Sequence, residues 1–146
     1  MYKYGALYTW NATMYGNESS STIPSNVQGV CPTGWHVPSD AEWTILTTFI
    51  GGENVAGGKL KEIGTTHWES PNMGATNETG FTALPSGGRN IGSYFTEIGV
   101  MNYWWSSTEY STANVWYRFL HSDYSYVTRS DYPKQGGFSV RCMKDN

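Results

Sequence analysis

Residues 65–102 are dominated by turn-favouring residues, and this stretch most constrains the fold of the chain. It contains Ser70-Pro71-Asn72, then Leu84-Pro85-Ser86-Gly87-Gly88, then Ile91-Gly92. Proline and glycine interrupt helices and central strands, and they favour turns together with serine and asparagine. The stretch therefore predicts long ordered loops with short strands between them. Loops of this length in a compact domain usually carry function or are held by their own packing.

The best-defined helix precedes this stretch. Ser39-Asp40-Ala41-Glu42 matches a capping box, in which the serine side chain accepts from the third helical N–H and the glutamate reaches back. The apolar residues expected on one face of this helix are Trp43, Leu46, Phe49 and Ile50. Gly51-Gly52 should end it, and a second helix is predicted over residues 55–63.

Strands are predicted at both ends of the chain. Residues 4–10 indicate an opening strand, and a second β region begins at residue 103. It continues through residues 115–120 and 127–130 to a closing strand over residues 138–143. This order predicts an α+β domain, and 146 residues suit a single one.

The composition favours an extracellular binding protein. The net charge is −3 without a basic run, so no nucleic-acid partner is expected. No stretch is apolar enough for a membrane span, and no direct membrane insertion is expected. Charged residues make up only 14% and aromatic residues 16%, a balance typical of adhesive surfaces. Met1 does not begin a signal peptide, so an export signal should lie upstream of this sequence or another route is used.

Cys31 and Cys142 are the only cysteines. They are either two free buried thiols or one disulfide that joins the start of the first helix to the last strand. A disulfide closing so long a loop would stabilise the fold by about 4–5 kcal/mol in the chain-entropy model. It would also indicate an oxidising compartment.

The sequence offers few groups for catalysis or metal binding. His36 is expected to be a packed, hydrogen-bonded histidine, and His67 a loop residue. No spacing singles out a pair of carboxylates, and two cysteines without a nearby histidine make a poor zinc site. No catalytic residue, metal site or cofactor is therefore predicted. A structural calcium ion under the loops of residues 72–90 stays an open alternative.

Six blocks of this sequence match the pattern of one known family. The blocks are Gly5-Ala6-Leu7-Tyr8-Thr9-Trp10-Asn11, Asn26-Val27-Gln28-Gly29-Val30-Cys31-Pro32-Thr33-Gly34-Trp35-His36-Val37-Pro38-Ser39-Asp40-Ala41-Glu42-Trp43, Gly57-Gly58-Lys59-Leu60-Lys61-Glu62, Gly80-Phe81-Thr82-Ala83-Leu84-Pro85, Tyr103-Trp104-Trp105-Ser106-Ser107-Thr108 and Gly137-Phe138-Ser139-Val140-Arg141-Cys142. With these blocks the sequence resembles the Fibrobacter succinogenes major paralogous domain family of bacterial surface proteins. The blocks run almost from end to end, so residues 1–146 are expected to form one domain.

The resemblance implies a C-type lectin-like fold, with two helices packed on antiparallel strands and long ordered loops. That superfamily also contains sulfatase-modifying enzymes and the variable proteins of diversity-generating retroelements. The enzymes rely on reactive cysteines, whereas Cys31 and Cys142 stand at structural positions of the family. The resemblance therefore implies a binding domain without catalytic activity.

The segment from residue 116 to residue 134 resembles the variable site of such retroelement proteins. Family members have asparagines there among fixed residues, and the fixed positions here hold Trp116, Arg118, Leu120, Val127, Arg129 and Lys134. The asparagine positions hold Tyr117, Phe119, His121, Asp123, Tyr124, Tyr126, Thr128, Ser130, Asp131, Tyr132 and Pro133. Each of these residues can be reached from an asparagine codon by changing adenines only, which is the signature of retroelement mutagenesis.

Strand geometry supports this interpretation. Alternate side chains point to opposite faces, so Trp116, Arg118 and Leu120 share one face, and Tyr117, Phe119 and His121 share the other. The first set is expected to face the core. The second set is expected to be exposed, as contiguous aromatic side chains at interaction sites are. The alternative is an ordinary amphipathic sheet whose outer aromatic residues have no binding role.

A variable ligand-binding region is thus predicted over residues 103–135. Tyrosine and phenylalanine would supply stacking, while aspartate, serine and threonine would set hydrogen bonding. The predicted ligand-binding residues are Tyr103, Tyr110 and Asn114 at the rim, with Tyr117, Phe119, His121, Asp123, Tyr124, Tyr126, Thr128, Ser130, Asp131 and Tyr132 on the sheet. The ligand would be a protein or glycan on another cell or host surface, and the domain would work on a bacterial surface or phage particle. Two alternatives are a structural repeat of a surface scaffold and an enzyme of the sulfatase-modifying type.

Overall fold

The computed structural model describes residues 3–146. The helices are α1 (Trp10–Met14), α2 (Asp40–Phe49) and α3 (Glu53–Leu60). The strands are β1 (Trp35–His36), β2 (Ser86–Arg89), β3 (Phe95–Ile98), β4 (Met101–Glu109), β5 (Asn114–His121), β6 (Thr128–Pro133) and β7 (Met143–Lys144). The predicted α+β class is confirmed. Within the described residues, no helix is long and apolar enough to cross a membrane.

A five-stranded mixed sheet dominates the fold, in the order β3-β2-β4-β5-β6. The strands β4, β5 and β6 are antiparallel neighbours, and β2 runs parallel to β4. The register aligns Trp105 with Tyr117, and Tyr117 with Ser130. A separate two-stranded sheet pairs β1 with β7.

Helix α2 forms as its capping box predicts. The Ser39 hydroxyl accepts from the Glu42 amide at 3.2 Å, and the Glu42 carboxylate accepts from the Ser39 amide at 2.9 Å. Trp43 is buried, with Leu46 and Ile50 packed beside it. The prediction for Phe49 was wrong, because 87% of this residue is exposed. Six residues separate Phe49 from Trp43, which at 3.6 residues per turn places it roughly 120° away from the packed face.

The two outer strands predicted from the sequence are mostly absent from the structure. In the opening segment only Tyr8 makes a bridge, to Phe138, because Thr9 caps α1 and turns the chain into a helix. The predicted closing strand is divided between two sheets. Ser139 bridges to Trp104 of the large sheet, whereas Met143 and Lys144 pair with β1. The chain crosses between the sheets here and cannot form one continuous strand.

Both faces of the large sheet are covered by apolar clusters. The cluster on the first face contains Trp10, Met14, Val27, Cys31, Val37, Tyr103, Trp105, Val115, Tyr117 and Phe138. The cluster on the second face contains Trp43, Ala56, Leu60, Trp68, Ala83, Trp104, Leu120 and Val127. The helices α2 and α3 therefore pack on the second face, while α1 and the segments around residues 27–37 and 138 pack on the first.

Cys31 and Cys142 form a disulfide, with their Cα atoms 5.8 Å apart. The alternative of two free thiols is therefore wrong. Cys31 precedes β1 rather than α2, and Cys142 directly precedes β7. The bond thus holds the small β1–β7 sheet against the first cluster.

Candidate functional site

The side chains of β5 alternate between the two faces as the sequence predicts. Tyr117 packs in the first cluster and Leu120 in the second. Arg118 is fully buried on the second face, where it contacts α2. Phe119 lies opposite Tyr103 on the first face. The register thus separates the asparagine-position residues of β5 from the fixed ones.

The first face is less exposed than the sequence predicts. Only 8% of Tyr117 is exposed, so the expectation that this tyrosine faces solvent is wrong, and Tyr103, predicted at the rim, is buried as well at 9%. Phe119 and Tyr132 are half-buried against the same cluster. The cause is Phe138, whose ring lies 4.9 Å from that of Tyr117 and 4.7 Å from that of Tyr103. Because Phe138 is distant from β5 in the sequence, the periodicity of β5 does not show that Phe138 covers this face.

A groove of about 350 Å³ remains between the first face and the β2–β3 hairpin. Its lining includes the rings of Tyr103, Tyr117, Tyr132 and Phe138, together with Arg89 and Glu97. The Tyr103 hydroxyl donates to the Glu97 carboxylate. Burial, with that hydrogen bond, raises the pKa of Tyr103 well above its usual range, so the phenol keeps its proton.

Glu97 and Arg89 belong to the groove, although the sequence did not single them out as binding residues. Glu97 has a φ of 66°, a left-handed conformation that costs free energy for a residue other than glycine. Opposite it, a Cβ on Gly87 would lie 2.2 Å from the Thr96 carbonyl oxygen, so the hairpin requires glycine there. The only sequence feature that pointed to this wall of the groove was the turn-rich stretch of residues 65–102.

A ladder of three rings continues the first face beyond the end of β5. The rings of His121, Tyr124 and Tyr126 are stacked in order, with 4.5 Å between successive centroids. Tyr126 is 40% exposed, and the other two are half-buried. Asp123 is exposed, and its amide donates to His121 Nδ1 at 3.0 Å. Because Tyr117, Phe119 and His121 are successive first-face residues of β5, the groove and the ring ladder form one continuous strip.

Thr128 and Ser130 complete this strip on the edge strand β6. They lie opposite Phe119 and Tyr117 respectively, and both are half-buried. Their hydroxyl groups can donate and accept at the lip of the strip. The structure therefore brings together nine predicted residues, Tyr103, Tyr117, Phe119, His121, Tyr124, Tyr126, Thr128, Ser130 and Tyr132, with Asp123 beside them.

Three other predicted residues lie on the second face, apart from the groove. The Asn114 side-chain amide donates to the Asp131 carboxylate at 2.7 Å. The ring of Tyr110 meets Trp116 edge-on at 4.8 Å. Asp131 is paired with Trp116 across β5 and β6, so these groups share a surface. From the sequence, Tyr110 and Asn114 were predicted at the rim of the same site. That prediction was wrong, because the strand alternation puts them on the other side of the sheet.

Arg118 and Arg129, at fixed positions of the resemblance, are held by Asp40 at the start of α2. Arg118 donates to the carboxylate at 2.6 Å, and Arg129 donates to both its oxygens, from Nε at 3.0 Å and from Nη2 at 2.9 Å. The Arg129 guanidinium also lies 3.4 Å from the centre of the Trp116 ring. Burial by itself would raise the pKa of Asp40, but the bonds from Arg129 and Arg118 lower it.

The histidines outside the strip are paired with carboxylates. His36 is buried, with Glu42 at 2.9 Å from Nε2 and Asp145 at 2.6 Å from Nδ1. Burial by itself would lower the pKa of His36, but the bonds to Asp145 and Glu42 raise it. His67 pairs with Glu62 at 2.7 Å. Across residues 3–146, no group of three His, Cys, Asp or Glu side chains is placed to hold a metal ion.

In a comparison with family models, the model of the Fibrobacter succinogenes major domain matches residues 1–144. The match spans both clusters, the disulfide and the whole strip. Comparisons with curated proteins and with solved structures found no match.

Proposed function

Since the chain belongs to the Fibrobacter succinogenes major domain family, we propose that it is a non-catalytic ligand-binding domain of the C-type lectin-like kind. Its ligand face is the groove together with the ring ladder and the β6 lip. Exposed aromatic rings next to hydroxyl groups are typical of surfaces that bind proteins or sugars. Both cysteines are bonded to each other, which argues against the thiol chemistry of sulfatase-modifying enzymes.

One observation carries this proposal, the difference in accessibility between asparagine positions and fixed positions. Ten of the eleven residues at asparagine positions are at least partly accessible, and only Tyr117 is buried. Three of the six fixed residues, Arg118, Leu120 and Val127, are buried. Arg129 is exposed but bonded to Asp40, and Lys134 pairs with Glu109. Substitution at the asparagine positions would thus fall where it costs the fold least.

This pattern supports the further proposal that the domain is the variable protein of a diversity-generating retroelement. Such a protein needs accessible positions that change and a framework that does not. Tyr117 is the exception, and it should accept only residues that still fill the first cluster.

The proposed site of action is a bacterial cell surface or a phage particle. The disulfide supports it, because such bonds persist in oxidising surroundings. The ligand would be a protein or glycan of another cell or a host. A sugar ring or an apolar side chain can stack on the ring ladder, while Thr128, Ser130 and Asp123 supply hydrogen bonds.

The proposal of diversification is tested by sequencing this gene deeply from a growing population. We expect substitutions at adenine-derived bases, confined to the eleven asparagine-position codons. We also expect a reverse transcriptase gene nearby, with a template repeat of this segment rich in asparagine codons. A uniform population without such a neighbour would contradict diversification and favour the scaffold alternative.

Binding is tested separately, on a glycan array and on whole cells, with the purified domain. The variant Phe119→Ser, Tyr124→Ser, Tyr126→Ser should lose every signal that the wild type gives. A matched control is Tyr15→Ser, Phe49→Ser, which removes two aromatic side chains that are highly exposed elsewhere. Equal loss in the control, or equal binding by the ligand-face variant, would place the ligand outside the proposed face.

A further inference from the structure

We propose that Lys61 is the positioning residue of the ligand face. It holds the backbone of residues 121–125 in one conformation, whatever side chains the loop carries. The inference rests on the proposed function only in that this loop carries the ring ladder. The conformation itself can be measured without any ligand.

Lys61 lies directly after α3 and is fully buried. Its ammonium group donates to three carbonyl oxygens, of Met73 at 2.9 Å, His121 at 3.0 Å and Tyr124 at 2.8 Å. An ammonium group has three donors, so each one has an acceptor. The Trp68 ring lies 5.5 Å from the same nitrogen. Within the described residues Lys61 forms no salt bridge, although the charge of the Asp123 carboxylate acts to raise the pKa of Lys61.

The chemistry of these bonds is independent of side-chain identity. All three acceptors are main-chain carbonyl groups, and two belong to residues at asparagine positions. Burying a cation is costly unless it is hydrogen-bonded, and burial lowers the pKa of Lys61 to about 8. A buried cation with two of its three hydrogen bonds directed to one loop points to a geometric role rather than to simple filling of space.

Other contacts to the loop also use its backbone. The Met73 amide donates to the Ser122 carbonyl at 2.7 Å, and the Gly58 amide donates to the Ser125 carbonyl at 2.9 Å. A Cβ on Gly57 would lie 2.4 Å from the Tyr126 carbonyl oxygen, so α3 approaches the loop backbone to backbone.

The side chains that hold the loop lie mainly between the asparagine positions, and the exception is His121, whose Nδ1 accepts from the Asp123 amide. Ser122 is buried, and the Ser125 hydroxyl donates to the Asn54 carbonyl at 3.1 Å. In contrast, the rings of Tyr124 and Tyr126 stack on each other. The shape of the loop therefore depends mostly on backbone contacts and on the two serines, and less on the side chains at asparagine positions.

The test is amide hydrogen exchange of the Met73 and Gly58 N–H groups, which donate into the loop. In Lys61→Met, protection of these two amides should fall by roughly tenfold or more relative to the Val115 amide in β5. The matched control is Lys59→Met, which removes a more exposed lysine paired with Glu78 at 3.0 Å. Lys59→Met should leave the protection of the Met73 and Gly58 amides, each taken as a ratio to that of the Val115 amide, unchanged.

A second variant tests tolerance directly. His121→Asn, Asp123→Asn, Tyr124→Asn, Tyr126→Asn should change the two protection ratios by less than roughly threefold. A tenfold loss in this variant would overturn the proposal, as would unchanged protection in Lys61→Met. If Lys61→Met does not fold, the four-site variant decides alone. If the four-site variant keeps the protection of the two amides but the wild-type domain binds nothing on the glycan array or on cells, the proposed function is contradicted. The role of Lys61 in holding the loop would still stand.

Discussion

The strand β5 and the loop that follows it both carry aromatic residues at asparagine positions, but the two regions are held in opposite ways. In β5, side chains make the contacts, since Tyr117 fills the first cluster and Arg118 is buried against Asp40. In residues 121–126, main-chain carbonyl groups bind Lys61 and Gly58, while the rings stack on one another. Asparagine positions are interspersed with other positions in both regions. The effect of a substitution on stability therefore depends on whether the side chain or the main chain of that residue makes the contacts that hold the segment.

The largest expected contrast is between two tyrosines at asparagine positions, one in each region. Tyr117→Ser should lower the free energy of unfolding by about 3–5 kcal/mol, because it empties part of a packed cluster. Tyr126→Ser should lower it by less than about 1 kcal/mol, because this ring is exposed and stacks on one neighbour. Denaturant unfolding followed by circular dichroism measures both. Equal losses in the two variants would remove the distinction between strand and loop.

A second large effect is expected at the side-chain contact that holds β5 to α2. Asp40→Asn should cost about 3 kcal/mol at neutral pH, because it leaves the buried Arg118 without its carboxylate. Arg129→Gln is the control, since Arg129 is exposed and its loss leaves the Arg118 pair intact. It should cost less than about 1 kcal/mol.

The same pair gives a pH dependence with a definite sign. The pKa of Asp40 in the fold lies below its ordinary value of 3.8. Its contribution is therefore complete above that value and is lost as the pH falls through the folded pKa. The stability gap between wild type and Asp40→Asn should narrow as the pH falls from about 5 to about 2. A gap that is constant over this range would contradict the proposed ionic contribution.

On the loop side, Gly57→Ala should destabilise the domain by about 1–3 kcal/mol. Alanine is the better helix former by roughly 1 kcal/mol, so helix propensity by itself predicts the opposite sign. The added Cβ would lie 2.4 Å from the Tyr126 carbonyl oxygen, and a backbone atom cannot move away as easily as the end of a flexible side chain. Asn54→Ala, at an exposed position of the same helix, is the control and should be neutral or slightly stabilising. Thermal melts of the two variants decide the sign.

The elements set by local signals could be predicted from the sequence. The capping box placed α2, Gly51-Gly52 ended it, and the alternation in β5 assigned its residues to the correct faces. The disulfide was one of two alternatives, and the structure selects it. These features depend on neighbours in the chain or on a pair of unique residues.

What could not be predicted depends on contacts between distant segments. Alternation shows which side chains share a face, but it does not show that Phe138 covers Tyr117. The same limit explains Glu97, which reaches the groove only through the β2–β3 hairpin. Lys61 left no signal either, because its partners are carbonyl groups, which every residue has.

The smallest expected effect is the coupling between the stacked rings of Tyr124 and Tyr126. These rings are parallel, with centroids 4.5 Å apart, and such pairs contribute about 0.5–1.5 kcal/mol beyond their burial. Partial exposure should hold the coupling to about 0.5 kcal/mol. A double-mutant cycle of Tyr124→Asn and Tyr126→Asn measures it from unfolding free energies. A coupling above about 2 kcal/mol would mean that side chains hold the loop as they hold β5, and the loop could not then exchange its residues freely.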